Sequence, residues 1–204
     1  MSHDFTENYW EEHYKRIGER TGHLQTSPYL VSEVSDLTPG IALDAGCGEG
    51  ADAIWLAGRG WHVTGVDVSS TALDKARNNA ETFGVSVDFE HTDLTVWTPE
   101  EGHFDLVTSQ YVHTTDNQQF IKKLANAVKP GGTLLIVGHQ APKAHEGSPH
   151  AHGSHLTAEE IAAHLSPDEW EIAVAELRTS ERIYPNGRTV VLNNSVLKAR
   201  KSLG

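Results

Sequence analysis

The segment IALDAGCGEG, residues 41–50, decides the fold of this chain. Apolar residues lead to Asp44, glycines then occupy positions 46, 48 and 50, and the apolar-rich segment ADAIWLAGRG follows. This order is typical of a buried β-strand, a tight turn and the first turn of a helix, because glycine tolerates positive φ and lets a ligand approach the backbone closely. The segment therefore predicts a ligand-binding loop at the carboxyl end of a strand.

The next apolar run, WHVTGVDV at residues 61–68, contains a second acid, Asp67, near its end. An acid at the end of the second strand, about 20 residues beyond a glycine loop, is placed to hydrogen-bond the diol of a ribose. The sequence predicts this role for Asp67. The alternative is that Asp67 caps the helix that begins near Ser69 and Ser70.

The spacing of the glycines distinguishes two kinds of cofactor. Dinucleotide-binding loops favour the pattern G-x-G-x-x-G, with the phosphates at a helix N-terminus. Here the third glycine comes one residue early, and Ala51 holds the later position. Asp44, which precedes the loop, would repel a pyrophosphate but could contact an ammonium group or a bound water. The loop thus favours a cofactor that lacks phosphate and carries an amino-acid end.

Composition narrows the class of protein. The 204 residues carry a net charge of −12 and predict one domain with a substantial core. An acidic chain of this kind lacks the basic face that a nucleic-acid groove needs. No apolar run is long enough to cross a membrane, and the polar start MSHDFTENYW does not predict a signal peptide. Cys47 is the only cysteine and excludes an internal disulfide, so the chain is predicted to be cytoplasmic. With nucleic acid disfavoured, a small molecule is the predicted partner.

Five short segments of the chain have the composition of motifs and follow one another along the sequence. They read LDAGCGEG, VTGVDVS, HTDL, FDLVTSQYV and VKPGGTLLIVGH. In sequence and spacing they resemble the motifs of class I S-adenosylmethionine-dependent methyltransferases over residues 37–139. The resemblance implies a Rossmann-like α/β fold with a seven-stranded, mostly parallel sheet, S-adenosylmethionine (SAM) as the cofactor, and methyl transfer to an acceptor. The start NYWEEHYKR is similar to that of small bacterial tellurite-resistance and thiopurine S-methyltransferases.

Alternating helices and strands are predicted along the chain, as in a parallel sheet with helices on both faces. Strands are predicted at 41–44, 62–66, 85–90, 104–109 and 133–137, and the segment KPGG is predicted to stop the helix before the fifth strand. Two further strands, 170–177 and 189–198, are predicted to form an antiparallel edge hairpin around the turn Pro185-Asn186-Gly187.

The single domain, 1–204, is predicted to have four parts. Residues 1–36 form a helical lid or cap with helices at 7–16 and 28–36, and residues 37–139 form the cofactor-binding core. Residues 140–156 form a His-rich loop, and residues 157–204 form a C-terminal helix and hairpin. Thr157 and Glu160 predict a capping box at the start of that helix.

The resemblance also implies the residues that bind the cofactor. They are Asp44, Gly46, Gly48, Asp67, Val68, Asp93, Leu94, Ser109 and Gln110. Asp93 is placed to accept the exocyclic amine of adenine, with Leu94 against the ring, and the alternative is a turn acid that binds its own backbone. Ser109, Gln110 and Tyr111 follow the fourth strand, under the methionine end of the cofactor. The Asn-Pro-Pro-Tyr-like run of nucleic-acid amino-methyltransferases is missing there, which disfavours methylation of DNA or RNA bases.

Methyl transfer needs little from a protein besides alignment, because the methyl group of a sulfonium is already activated. A general base is required only when the nucleophile is protonated at working pH. His113, shortly after the fourth strand, is the first candidate for that base, and His139, at the end of the fifth, is the second. An acidic thiol would need no base.

Several acceptors remain compatible with the sequence. The narrower resemblance alone favours a sulfur, selenium or tellurium nucleophile, and an oxygen or nitrogen of a small metabolite is the next alternative. Two other classes of protein are also considered. One is a protein that binds SAM or a metal without catalysis, and the other is a nicotinamide oxidoreductase, which the glycine spacing disfavours.

Three aromatic residues near the start, Tyr9, Trp10 and Tyr14, are candidates for a lid over the site, because aromatic faces attract a sulfonium cation. The alternative is that their helix packs on the sheet. Histidines are also dense at positions 139, 145, 150, 152 and 155, and imidazoles can bind zinc, copper or nickel. Since their neighbours are glycine and proline and no cysteine joins them, a solvated loop without a metal is predicted.

Overall fold

The computed structural model describes residues 6–17, 24–114, 116–140, 156–183 and 189–204. Its helices are α1 (Glu7–Ile17), α2 (Pro28–Val34), α3 (Ala51–Ala57), α4 (Ser70–Phe83), α5 (Asn117–Ala127) and α6 (Ala158–Ala162). Its strands are β1 (Ile41–Ala45), β2 (His62–Asp67), β3 (Asp88–His91), β4 (Phe104–Gln110), β5 (Val128–Gln140), β6 (Trp170–Ile183) and β7 (Thr189–Lys201).

The strands form one sheet of seven in the order β3-β2-β1-β4-β5-β7-β6. The first five in this order pair in parallel, and β7 pairs antiparallel with both β5 and β6. The predicted Rossmann-like sheet with an antiparallel C-terminal hairpin is therefore confirmed. The order of the strands reverses between β1 and β4, so a crevice opens at their carboxyl ends, where sheets of this type bind ligands.

Apolar side chains of the sheet alternate between two cores, because successive residues of a strand face opposite sides. Leu43 of β1 belongs to one core together with Leu124 of α5. Its neighbour Ala42 belongs to the other core, together with Leu30 of α2 and Leu56 of α3. Helices thus cover both faces, as predicted.

The third strand starts later than predicted. Gly84 ends α4 with a φ of 66°, as its position predicts. The N–H of Val85 still donates to the carbonyl of Ala80 in the helix, at 3.0 Å. Val85 therefore completes the end of α4, and β3 begins only at Asp88.

Helix α5 ends at Ala127, just before the segment KPGG, as predicted, but the segment belongs to the fifth strand instead of preceding it. Strand β5 begins at Val128, directly after α5, and includes the segment. The pairing with β4 moves from Phe104 opposite Val128 to Leu106 opposite Thr133, so the extra residues of β5 form a bulge.

The C-terminal part contains the predicted helix and hairpin strands, but the two strands are longer than predicted. Thr157 and Glu160 form the predicted capping box. Strands β6 and β7 extend beyond the predicted ends, to Ile183 and Lys201. The predicted turn at 185–187 and the His-rich segment 141–155 lie outside the described residues. In the described part of the chain, no helix has the length and apolarity needed to span a membrane.

Candidate active site

The glycine loop connects β1 to α3, and its conformation explains its glycines. Gly46, Gly48 and Gly50 have φ angles of 81°, 54° and 85°, a region that other residues rarely adopt. At Gly46 a side chain is also excluded by space, since a Cβ would lie 2.2 Å from Val112. The N–H of Gly46 donates to the carbonyl of Val66 at 2.8 Å, which ties the loop to the end of β2.

Asp67 ends β2 and is buried beside the glycine loop. Its Oδ2 accepts the N–H of Gly48 at 2.8 Å, and its Oδ1 accepts the N–H of Ser69 at 2.9 Å. Burial raises the pKa of this carboxyl, and the N–H donors offset part of that effect. The side chain that caps α4 is Ser69, whose Oγ accepts the N–H of Ala72. A carboxylate oxygen can accept more than one hydrogen bond, so Asp67 is fixed by the backbone and retains acceptor capacity for a diol.

Two further carboxylates are buried close to the loop. Asp44, at the end of β1, is 1% exposed, and burial raises its pKa well above the usual range, with the charges of Asp52 and Asp67 adding to the effect. Asp52, in the first turn of α3, accepts the N–H of Ser27 at 2.8 Å, and burial raises its pKa to about 6. Three acids at the ends of neighbouring elements suit a ligand with a positive charge.

Polar atoms without a hydrogen bond mark the same region. Within the described residues, the buried side-chain atoms that lack a partner are Asp44 Oδ2, Ser27 Oγ and Gln110 Oε1. Buried polar atoms are almost always paired in folded proteins. Asp44 and Gln110 lie at the ends of adjacent strands and are both predicted cofactor residues, so these atoms indicate where a polar ligand would bind.

A cleft of about 50 Å³ lies at the carboxyl ends of β4 and β5. The structure brings both candidate bases, His113 and His139, into its lining, and Ser109 also borders it. The hydroxyl of Ser109 donates to the carbonyl of Ala45 at 3.0 Å and so links β4 to β1. Much of the remaining lining is apolar and comes from α5, β5 and α6.

The two histidines have different aromatic neighbours. The ring of His113 stacks on Trp10 of α1, with centroids 6.1 Å apart, and Tyr9 packs edge-on against the same tryptophan at 5.2 Å. The ring of His139 stacks on Tyr111, with centroids 4.3 Å apart. His139 belongs to a central strand, whereas His113 lies in the loop after β4.

Helix α1 lies over the glycine loop and the start of α4. The carboxylate of Glu11 accepts the hydroxyl of Ser70 at 2.8 Å, and the N–H and hydroxyl of Thr71 at 3.2 and 2.5 Å. The side-chain bond from Thr71 is the main reason that the pKa of Glu11 falls to about 2. The hydroxyl of Tyr14 lies so near Gly48 that a Cβ there would be 2.7 Å away.

The predicted adenine contacts lie after β3. Asp93 is exposed, and its Oδ1 accepts the N–H and the hydroxyl of Thr95 at 2.8 and 2.7 Å. These bonds are those of an acid that stabilises its own turn, which was the alternative to adenine binding. No described residue donates to Asp93 Oδ2. Leu94 lies beside Gly46 of the glycine loop. Val68, another predicted cofactor residue, contacts the ring of His91 through its carbonyl at 2.8 Å.

Three residues near the site were not predicted from the sequence. Asp52 does leave a signal, because it is an acid in the first turn after the glycine loop, but such acids are common at exposed helix starts. Ser27 and Glu11 reach the site through contacts that are 25 and 60 residues away in sequence, and no local pattern indicates such contacts.

Known proteins are similar to parts of this chain in sequence. Residues 42–132 match the family model described as "Methyltransferase domain". The ubiquinone biosynthesis O-methyltransferase of Coxiella burnetii is 38% identical over 96 residues, 46% of this chain and 41% of that protein. The ribosomal RNA small subunit methyltransferase C of Alcanivorax borkumensis is 35% identical over 109 residues, 50% of this chain and 33% of that protein. The matches thus cover less than half of either relative.

The fold also has solved counterparts. The crystal structure of TehB from Haemophilus influenzae superposes with a TM-score of 0.74 at 18% identity, covering 94% of this chain and 67% of that one. The family match is to a methyltransferase domain and covers residues 42–132, less than half of the chain, and the superposition shows that the chain shares the fold of that solved structure. The likeness to TehB concerns the fold alone.

We expect Asp67→Ala to weaken SAM binding more than Asp93→Ala. Asp67 is buried and held by two backbone N–H groups, whereas Asp93 is exposed and water can replace its bond. A hydrogen bond to a charged acceptor contributes roughly 1.5–3 kcal/mol, and two such bonds predict a loss of at least about 100-fold for Asp67→Ala. Calorimetry with SAM measures both variants. Equal affinity of Asp67→Ala and the wild type would show that the ribose binds elsewhere.

Proposed function

We propose that this chain transfers the methyl group of SAM to a hydroxyl group of a small, largely apolar acceptor. The observation that carries the proposal is the largely apolar cleft at the ends of β4 and β5, whose lining includes His113 and His139. A hydroxyl is protonated at neutral pH and needs a base when it attacks, whereas an acidic thiol does not. The similarity to an O-methyltransferase supports this choice over the thiol that the narrower resemblance favours.

The residues around the glycine loop fit SAM. Bound SAM supplies a methyl group that its sulfonium has already activated. Asp67 would hold the ribose diol, while Asp44 Oδ2 and Gln110 Oε1 would meet the polar amino-acid end that their unpaired atoms require. Asp93 and Leu94 would contact adenine through the oxygen and the apolar surface that their turn presents.

His139 is the better placed of the two bases. Its strand pairs with β4 on one side and β7 on the other, so its position is fixed by the sheet. His113 lies in a loop, and its stacking partner Trp10 belongs to α1. We infer that the acceptor's O–H proton passes to a ring nitrogen of His139 as the O–C bond forms, and that the C–S electron pair stays with the sulfur. His113 and Trp10 then close the side of the cleft.

Helix α1 acts as the lid in this proposal. None of its described side chains is buried, which disfavours the alternative of a core helix. Its contacts with the domain include the polar ones of Glu11 at the start of α4, and the rings of Trp10 and Tyr14 contact His113 and the glycine loop. Its aromatic residues face the glycine loop and the cleft, so the helix excludes water when docked and permits exchange when released.

A small acceptor is also favoured over RNA. One relative is named as a ribosomal RNA methyltransferase, but the match covers 33% of that protein. The present chain carries a net charge of −12, which opposes binding to a phosphate backbone.

The proposal predicts turnover with phenols and its loss on removal of the base. We expect one S-adenosylhomocysteine site per chain by calorimetry, and release of that product from SAM with a panel of phenols and catechols rather than with thiols or a short RNA. His139→Gln should lower kcat with the best phenol by about 10²–10³-fold, because general-base catalysis contributes that much, without changing SAM affinity.

His62→Gln is the matched control, since His62 is exposed at the opposite end of the sheet and its change should leave kcat unaltered. Turnover of thiols alone, with a rate that does not depend on His139, would contradict the hydroxyl acceptor. Absence of SAM binding would contradict the whole proposal.

A further inference from the structure

Tyr111 has an unfavourable backbone conformation at the edge of the cleft. Its φ of 57° is the only positive value for a non-glycine residue in the described ranges. A bulky side chain resists this left-handed region, and such residues persist only where their surroundings hold them. The N–H of Tyr111 donates to the carbonyl of Val137 in β5 at 2.7 Å, which fixes the turn. Because glycine would form this turn without strain, the tyrosine side chain itself requires an explanation.

The side chain of Tyr111 joins three elements of the site. Its ring stacks on His139 of β5, with centroids 4.3 Å apart and planes inclined by 30°. Its hydroxyl donates to Oδ1 of Asn194 in β7 at 3.2 Å. Asn194 is 1% exposed, pairs with His139 in the strand register, and donates through Nδ2 to the hydroxyl of Tyr29 in α2 at 2.9 Å. The ring beside His139 is thus held by a buried chain of hydrogen bonds.

The chemistry of Tyr111 suits holding rather than proton transfer. Burial raises the pKa of Tyr111 above its ordinary value, with nearby Tyr29 and Asp52 adding to the effect. The hydroxyl therefore stays protonated and acts as a donor to Asn194. A neutral aromatic face against an imidazole restricts the plane of the imidazole without placing a charge beside it.

We propose that Tyr111 is a positioning residue for His139. Its ring sets the plane of the imidazole, and Asn194 sets the ring through the tyrosine hydroxyl. This proposal rests on the proposed function, in which His139 takes the acceptor's proton. It accounts for the strain: the left-handed turn is what brings the ring onto His139 while its hydroxyl reaches β7.

The kinetic test compares Tyr111→Gly with Tyr111→Phe. Glycine suits the backbone of the turn and removes the ring, whereas phenylalanine keeps the ring and removes only the hydroxyl. With a phenol acceptor, Tyr111→Gly should lower kcat by about 10–100-fold, because a catalytic group that is misplaced by about 1 Å costs that order of rate. Tyr111→Phe should retain most of the rate. SAM affinity is measured by calorimetry in both variants so that kcat is compared at saturating SAM, and Phe83→Leu at the exposed end of α4 serves as the distant control.

A double-mutant cycle separates positioning from a merely structural role. In a His139→Gln background, Tyr111→Gly should cost less than about twofold, because residues that act through one another are not additive. The limb of the pH profile that reports the base should move in Tyr111→Gly and keep its place in Tyr111→Phe. Losses that multiply in the double variant, or equal rates for Tyr111→Gly and Phe83→Leu, would overturn the proposal.

A second measurement tests the positioning of His139 by Tyr111 without relying on turnover. It therefore separates a failure of this proposal from a failure of the proposed function. Protein labelled with ¹⁵N-histidine reports the titration and tautomer of His139 by NMR. Both should change in Tyr111→Gly, and in Tyr111→Asn, which also tolerates the left-handed region, but not in Tyr111→Phe or Phe83→Leu. An unchanged His139 in both ring-deleted variants would overturn the positioning role even if every phenol is methylated. Lack of turnover with any acceptor, with His139 altered as expected, would contradict the proposed function alone.

Discussion

Asp44→Asn should raise the melting temperature of the free protein and weaken SAM binding at the same time. Asp44 is 1% exposed, and its Oδ2 has no partner within the described residues. A buried carboxylate with one unpaired oxygen is costly, and the backbone N–H of Ala53 offsets only part of that cost. Asp44→Asn should therefore stabilise the domain by roughly 2 kcal/mol, and each kcal/mol corresponds to about 2–4 °C for a domain of this size. The same carboxylate contacts the amino-acid end of SAM in the proposed site, and its loss should cost about 10–100-fold in affinity.

The stabilisation should depend on pH in a defined direction. Burial, with the charges of Asp52 and Asp67, raises the pKa of Asp44 in the folded state above its value in the unfolded chain. The favourable contribution of such a group is complete below the unfolded pKa, near about 4, and is lost as pH rises toward the folded pKa. The melting temperature of Asp44→Asn should therefore exceed that of the wild type by a margin that grows as pH rises from about 4.

Asp105→Asn is the matched control because its carboxylate is in the opposite situation. Asp105 Oδ2 accepts the N–H of Ile41 at 2.9 Å, and its side chain forms an ion pair with Lys129. Although burial alone would raise the pKa of Asp105, the bonds from Ile41 and Lys129 lower it below the ordinary value. Asp105→Asn should melt lower than the wild type above pH of about 4. Calorimetric melting and SAM titration measure both variants, and a lower melting temperature for Asp44→Asn would contradict our view of that buried charge.

Removal of residues 1–17 should abolish turnover while the sheet stays folded. No described side chain of α1 is buried, so the truncated chain should lose no core and should melt within about 5 °C of the full chain. The docked helix would otherwise cover the glycine loop through Tyr14 and flank the cleft through Trp10. Without it the site stays open to water, and kcat/KM should fall by about 100-fold or more. Circular dichroism melting and product release are the measurements.

Two substitutions test whether the polar contact of Glu11 holds the lid. Glu11→Gln keeps the size of the side chain but loses the carboxylate that accepts from Ser70 and Thr71, and it should show an intermediate loss of kcat/KM. Glu12→Gln changes the neighbouring residue, whose ion pair with Lys15 is exposed, and should have no effect. A truncated chain that melts tens of degrees lower would indicate a core helix, and full turnover by that chain would exclude both roles.

The local part of the site could be predicted from the sequence, because its signals are short in range. Asp44, the three glycines and Asp67 follow from apolar runs that end in acids, and the structure places them together as expected. The sequence predicts His113 and His139 as two candidates for the general base. It cannot predict that they line one cleft, because that depends on the packing of β4 against β5. The roles of all these residues stay predictions until the variants are measured.

Other features depend on contacts that no local pattern encodes. The segment KPGG has the composition of a turn, yet pairing with β4 draws it into β5 as a bulge. Val85 has high strand propensity, yet its N–H completes the end of α4. The bond from Tyr111 to Asn194 joins residues 83 positions apart, and nothing near either residue in sequence predicts it.

The position of β7 between β5 and β6 has a consequence for how the chain acquires its structure during synthesis. β6 leaves the ribosome before β7, but among the described strands β7 alone pairs with it in the sheet. β6 therefore stays unpaired until residues 189–201 emerge as β7 and pair with β5 and β6. Asn194, which supports the ring beside His139, arrives with that last strand. The nascent chain can assemble its glycine loop early, whereas the cleft is completed only after β7 has emerged.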